Sequence, residues 1–173
     1  MYNPRKHNRK SNRLSGYDYS QPGYYFITIC VINRHHLFGY ISDYQMVLNQ
    51  YGKIAKEEWL RTEDLRTNVS QDQFVVMPNH MHGIIELTYN RDTARRVPVK
   101  EEFGKPTPNT IPTIIRSYKA AVTKKINKIH NQPGDKVWQK NYHDYIIRNR
   151  HELNRIRKYI QSNPKNWSKD SLH

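Results

Sequence analysis

An α+β fold is predicted by three observations. Short β-branched runs and amphipathic stretches follow one another as strand, helix, strand, strand, helix, strand, helix, an order that suits an antiparallel sheet with helices packed on it. No Gly-rich phosphate motif stands among them. The 173 residues are enough for one domain with a real core, and they contain no internal repeat.

The elements justify that order one by one. Residues 1–16 are polar and basic, with Arg5, Lys6, Arg9, Lys10 and Arg13 and no acid before Asp18. They read as an arm that orders on a partner, and 17–167 as the domain. Tyr17–Gly23 is turn-rich and leads into the first strand, Tyr24–Ile32, which is aromatic and β-branched. His35 and His36 follow in a loop. Val47, Leu48, Tyr51, Ile54 and Ala55 recur at helical spacing, so a helix is expected over about 45–61. A strand begins near Gln73 and turns at Pro78-Asn79 into a second. Residues 90–109 hold Pro98, Pro106 and Pro108 among charges and read as a long mobile loop. Thr110 and Pro112 open a helix whose buried stripe is Ile111, Ile114, Ile115, Tyr118, Val122 and Ile126. Val137–Ile147 is extended. Asn149, with Glu152 three residues on, caps the last helix, which ends before Pro164. The tail from Lys165, and 168–173 above all, reads as weakly structured.

Charge narrows the partners. Lys plus Arg number 29 against 15 Asp plus Glu, a net +14. That excess is the footprint of a polyanion, most often nucleic acid. An anionic membrane surface would fit the charge too, but no apolar run is long enough to span a bilayer. From Phe103 to Gly134 there is no acid at all. Arg116, Lys119 and Lys124 lie off the apolar stripe of that helix and are candidates to face phosphates. The single Cys30 excludes an internal disulfide and a cysteine zinc site, and it fits a reducing, cytoplasmic location.

The chemistry gathers at Met77–Leu87. Strand side chains alternate, so His80 and His82 share one face with Glu86 and Thr88, while Met81, Ile85 and Leu87 share the other. Two neutral imidazoles on one face can hold a divalent ion. A half-exposed strand that carries two histidines satisfies the same spacing. On the last helix Arg155, Tyr159 and Asn163 are four apart and share a face beside the apolar Ile156 and Ile160. A tyrosine at such a boundary commonly packs there. Its ordinary pKa near 10 makes it a poor nucleophile unless activated, and Arg155 and a nearby metal are candidates to activate it.

In this order the motifs resemble the REP-associated tyrosine transposases, a branch of the single-tyrosine HUH endonucleases. The resemblance runs over about residues 11–167. It rests on Arg13-Leu14-Ser15-Gly16-Tyr17-Asp18-Tyr19, Gly23–Cys30, Leu37-Phe38-Gly39, His80-Met81-His82, Ser117-Tyr118-Lys119, Trp138–Tyr142, Ile146–Asn149 and Tyr159-Ile160-Gln161-Ser162-Asn163-Pro164.

The resemblance implies a ferredoxin-like sheet with the tyrosine helix laid on the histidine face. It implies His80 and His82 as ligands of Mg²⁺ or Mn²⁺ and Tyr159 as the nucleophile. Relatives in the insertion-sequence branch carry a glutamine ligand four residues after the tyrosine, where this chain has Asn163, one methylene shorter. The implied activity is cleavage and strand transfer on single-stranded DNA next to REP-like hairpins, through a 5′-phosphotyrosine. No nucleotide cofactor is needed. The implied DNA contacts are Arg5, Lys6, Arg9, Lys10, Arg13, Arg116, Lys119, Lys124 and Arg155. A monomer or homodimer, cytoplasmic and associated with the nucleoid, is expected. A binder of DNA or RNA hairpins that does not cut is the alternative on the same scaffold.

Overall fold

The computed structural model describes residues 13–14, 16–89 and 107–172. The expectations for Arg5, Lys6, Arg9 and Lys10, and for most of the 90–109 loop, fall outside them. A four-stranded antiparallel sheet forms the centre. Its strands are β1 (Gly23–Cys30), β4 (Val69–Val76), β5 (His80–Leu87) and β6 (His143–Ile147), in the spatial order β4-β5-β1-β6. A small hairpin, β2 (Gly39–Ser42) and β3 (Gln45–Leu48), follows β1. The helices are α1 (Gln50–Asp64), α2 (Ile111–His130) and α3 (Arg150–Ser162). This is the α+β fold the sequence predicts, with the strand order of a ferredoxin-like sheet.

The two faces of the sheet have separate cores. On one face Tyr25, Ile27, Ile29, Met81, Ile85 and Leu87 pack against Trp59 of α1 and Ile114, Ile115, Tyr118 and Val122 of α2. On the other face Ile84 and Ile147, with Tyr24, Phe26 and Val75, pack against Leu153, Ile156 and Ile160 of α3. β5 is therefore covered on both sides. Only Glu86 of its eight residues is not fully buried. The polar side expected for this strand holds Ile84 as well as the histidines, and α3 closes over it.

Two expectations change. A helix was expected over 45–61, but 45–48 belong to β3. Asp43 and Tyr44 both adopt left-handed φ, 49° and 61°, which closes a two-residue hairpin turn. Asn49 then caps α1, accepting from the backbone N–H of Tyr51 and Gly52. Val47 and Leu48 mimic helical spacing only because the hairpin runs straight into the helix. The tail is also more ordered than expected. Pro164–Lys169 form a 3₁₀ segment, and Trp167 is buried.

Gly83 sits on the α1 side of β5, where an added Cβ would collide with the ring of Trp59. Trp59 is fully buried and has nowhere to move. Gly83→Ala is expected to cost about 1–3 kcal/mol by overpacking. Thermal unfolding should show a fall in Tm of about 3–9 °C; an unchanged Tm would contradict this packing.

Candidate metal and tyrosine site

The site is built from β5 upward. β5 pairs with β1 so that His82 lies opposite Thr28 and His80 opposite Cys30. Thr28 Oγ1 lies 2.8 Å from His82 Nδ1, and Asn79 Oδ1 lies 2.7 Å from His80 Nδ1. A carboxamide oxygen only accepts, so His80 carries its proton on Nδ1 and leaves the Nε2 lone pair free. The Thr28 hydroxyl can accept from His82 Nδ1 as well as donate to it, and where it accepts the second ring takes the same tautomer. The two Nε2 atoms are 3.1 Å apart, so their lone pairs converge on one point. Both rings are essentially fully buried.

The tyrosine arrives from above. α3 lays Tyr159 against His82, with its hydroxyl 3.2 Å from His82 Nε2. Phe26 stacks on His82 at 5.3 Å between ring centroids and meets the Tyr159 ring edge-on at 6.1 Å. Tyr159 remains 44% exposed, so its oxygen can be approached from outside. Asn163, one turn on, is buried at the end of α3.

The tail completes the cluster. Asp170 Oδ2 is 3.8 Å from His80 Nε2 and accepts from Asn163 Nδ2 at 3.1 Å. One ligand atom each from His80, His82 and Asp170 lie within 4.8 Å of one another, a set that could hold a metal ion. Trp167 packs its ring 5.9 Å from that of His80. The end of the chain is held by Asn79 Nδ2 donating to the Leu172 carbonyl and Arg34 donating to that of Ser171. Asn163 Oδ1 is buried without a hydrogen-bond partner among the described residues. Asp170 was missed by sequence reasoning, because it lies in a polar tail, six residues beyond Pro164, the end of the last motif.

The electrostatics suit neutral ligands. Burial lowers the His80 pKa from 6.5 to about 4; Asp170 raises it and Arg34 lowers it further. His82 is pushed well below the ordinary value, by burial first and then by the charge of His80. Both imidazoles are therefore unprotonated near neutrality. The Tyr159 hydroxyl is raised, by burial and then by Asp170, while a hydrogen bond from Asn163 opposes this. The charge of Arg155 contributes to lowering the pKa of Glu152.

Among curated proteins the chain is similar to an uncharacterized protein of Haemophilus influenzae, 40% identical over 176 residues, 99% of this chain and 97% of that one. The two chains belong to one family. No protein-family model matches. Among solved structures it is similar to a REP-associated tyrosine transposase bound to a REP hairpin. That match has a TM-score of 0.56 at 19% identity and covers 90% of this chain and 73% of that one. The chain has the REP-associated tyrosine transposase fold. A looser match, with a TM-score of 0.44 at 18% identity, is to a putative transposase of Deinococcus radiodurans, covering 86% of this chain and 96% of that one. No helix among the described residues is long and apolar enough to cross a membrane.

Within this transposase fold the basic candidates are spread widely. Arg155 is exposed on α3, close to the tyrosine. Arg116, Lys119 and Lys124 lie on α2, across the sheet from Tyr159. The Lys119 ammonium donates to the carbonyls of Gln139 and Lys140. Arg13 rests over the ring of Tyr142, 5.6 Å from its centroid. Tyr145, the rival tyrosine on the same face as α3, bonds Glu152 rather than a histidine. Tyr118 donates to the Ala55 carbonyl from the opposite core.

The lowered histidine pKa values have a consequence for stability. An unfolded histidine titrates near 6.5, while His80 resists protonation down to about 4. Between those values the unfolded chain binds more protons, so stability falls as pH falls through that window and is level above it. Chelator-treated protein should therefore melt lower at pH ~5 than at pH ~7.5. A His80→Ala/His82→Ala variant should lose part of that dependence; an identical dependence in both would rule out the buried pair as its source.

Proposed function

We propose that this protein is a metal-dependent endonuclease and strand transferase that acts on single-stranded DNA beside REP-like hairpins. The observation that carries the reading is the Tyr159 hydroxyl, 3.2 Å from His82 Nε2, which in turn lies 3.1 Å from His80 Nε2. The transposase fold and the net charge of +14 support it. The similar solved transposase is itself bound to a REP hairpin.

His80, His82 and Asp170 would hold the divalent ion, with Asn163 steadying Asp170. Two unprotonated imidazoles and a carboxylate suit Mn²⁺ well and Mg²⁺ acceptably. An ion held there would supply positive charge to the scissile phosphate and would offset the effect of Asp170 on the Tyr159 hydroxyl.

The chain's own residues do the rest. α3 fixes Tyr159 on a rigid mount, with Phe26 against its ring, so that its oxygen can stand in line with the leaving oxygen. Thr28 and Asn79 fix the imidazole orientations from behind. Tyr159 Oη loses its proton and bonds to phosphorus as the P–O3′ bond breaks. The products are a 5′-phosphotyrosine and a 3′-oxygen that takes up a proton. The energy of the broken ester is kept in the new one, so reversal with a different 3′-hydroxyl transfers the strand.

Incubation with hairpin DNA carrying a single-stranded flank, plus Mn²⁺ or Mg²⁺, should give a covalent adduct that maps to the peptide with Tyr159. Tyr159→Phe keeps the packing and should fold and bind DNA normally while forming no adduct. An adduct on Tyr142 or Tyr145 would overturn the assignment. His80→Ala or His82→Ala should lower cleavage by at least about a thousandfold and leave hairpin binding largely intact. Full cleavage by the double variant would remove the metal from the mechanism.

DNA affinity should also fall steeply with salt. Each phosphate contact contributes about 0.7 to 0.9 to the slope of log affinity against log salt. A flat titration would contradict a basic binding surface. Deleting residues 1–13 should shallow the slope.

A further inference from the structure

A second basic feature lies away from Tyr159, between α2 and the segment 134–140. An open groove of about 850 Å³ runs there. Its floor includes Ile32 and Val137, and its rim carries Lys119, Lys124, Lys136 and Lys140. Asp135 is the one acid in the lining. Lys119 is half-buried and donates to two carbonyls, so one of its three N–H groups is left over. Burial lowers its pKa, and no carboxylate partners it among the described residues. Lys124, Lys136 and Lys140 are exposed and form no ion pair among the described residues.

The floor is also incomplete as a packed core. Asn127 Oδ1 and Trp138 Nε1 are both buried without a hydrogen-bond partner, and both residues line the groove. Buried polar atoms ordinarily find partners.

We infer that this groove holds an unpaired nucleotide of the substrate DNA, with its phosphates on the lysine rim and its base against the apolar floor. The inference rests on the DNA-cleaving reading above and adds to it the place of the single-stranded flank. The occupant follows from chemistry. Lysines are point charges suited to phosphate, and an apolar floor suits a base face. A duplex turns its bases inward and would gain nothing from that floor.

The lining segment is joined through the chain to the strands that carry the site, while α2 lies across the sheet from Tyr159. Trp138 bridges to Val31, the residue after Cys30, and Cys30 lies opposite His80. Lys140 stands three residues before His143, which opposes the Thr28 that orients His82. The segment that lines the groove therefore leads into β6, the edge strand beside β1.

The test uses the full chain as Tyr159→Phe, without added metal, so that binding is read apart from cleavage. The probes are a fluorescent hairpin with an unpaired flank of about eight nucleotides and the same hairpin without it. Lys124→Gln/Lys136→Gln changes two exposed side chains. It should weaken the flanked hairpin about tenfold, shallow its salt slope by about 1.4 and leave the bare hairpin within about twofold. Lys53→Gln/Lys56→Gln on α1 removes the same charge elsewhere and should leave both probes within about twofold.

Equal loss on both probes would make the groove a duplex contact and overturn the inference. So would no loss on either, or an equal effect of the α1 pair. Each of these leaves the tyrosine reading standing. A parent that bound neither probe would overturn both readings, and preference for an acidic peptide or anionic vesicle over the flanked hairpin would overturn the inference.

Discussion

Burial of β5 on both faces is the constraint on which the site depends. One edge of the strand pairs with β1 and the other with β4, so its backbone is satisfied along its length. Its odd-numbered residues pack under α1 and α2, and its even-numbered residues under α3. The histidines therefore cannot turn to water, and neither can their charge. The same burial that fixes His80 and His82 holds them unprotonated, with Nε2 lone pairs aimed at one point.

Tyr159 has the opposite environment. The residue is half open to solvent, but burial and then the charge of Asp170 raise the pKa of its hydroxyl. A cluster that could hold a cation thus stands next to a half-exposed tyrosine. Asp170 links the two, touching His80 on one side and Asn163 on the other. The carboxamide of Asn163 donates to Asp170 through Nδ2, and its Oδ1 is buried without a hydrogen-bond partner among the described residues.

The elements were legible where local pattern and burial agree. The alternation of β1 and β5, the capped starts of α2 and α3, and the sharing of a face by His80 and His82 all followed from periodicity. The β2–β3 hairpin was not legible. Its turn uses Asp43-Tyr44 where Asn-Gly would have signalled it, and its last residues continue the spacing of α1. The faces of α2 were only half legible. Periodicity separated its apolar stripe from its lysines, but it could not say that the helix packs on the opposite face of the sheet from the tyrosine or that Lys119 would bind two carbonyls of the segment 139–140.

What the sequence determined by itself was local: residue types, their spacing on one strand or one helix, and the net charge. Those quantities are intrinsic to a few consecutive residues, so His80, His82 and Tyr159 could be named from them. The tertiary structure decided which of these meet. Tyr159 reaches His82 only because α3 crosses the face that β5 presents, 77 residues away in sequence. Asp170 reaches His80 only because Trp167, Asn79 and Arg34 fold the tail back. Contacts of that range depend on packing between elements, and no spacing within a strand or helix encodes them.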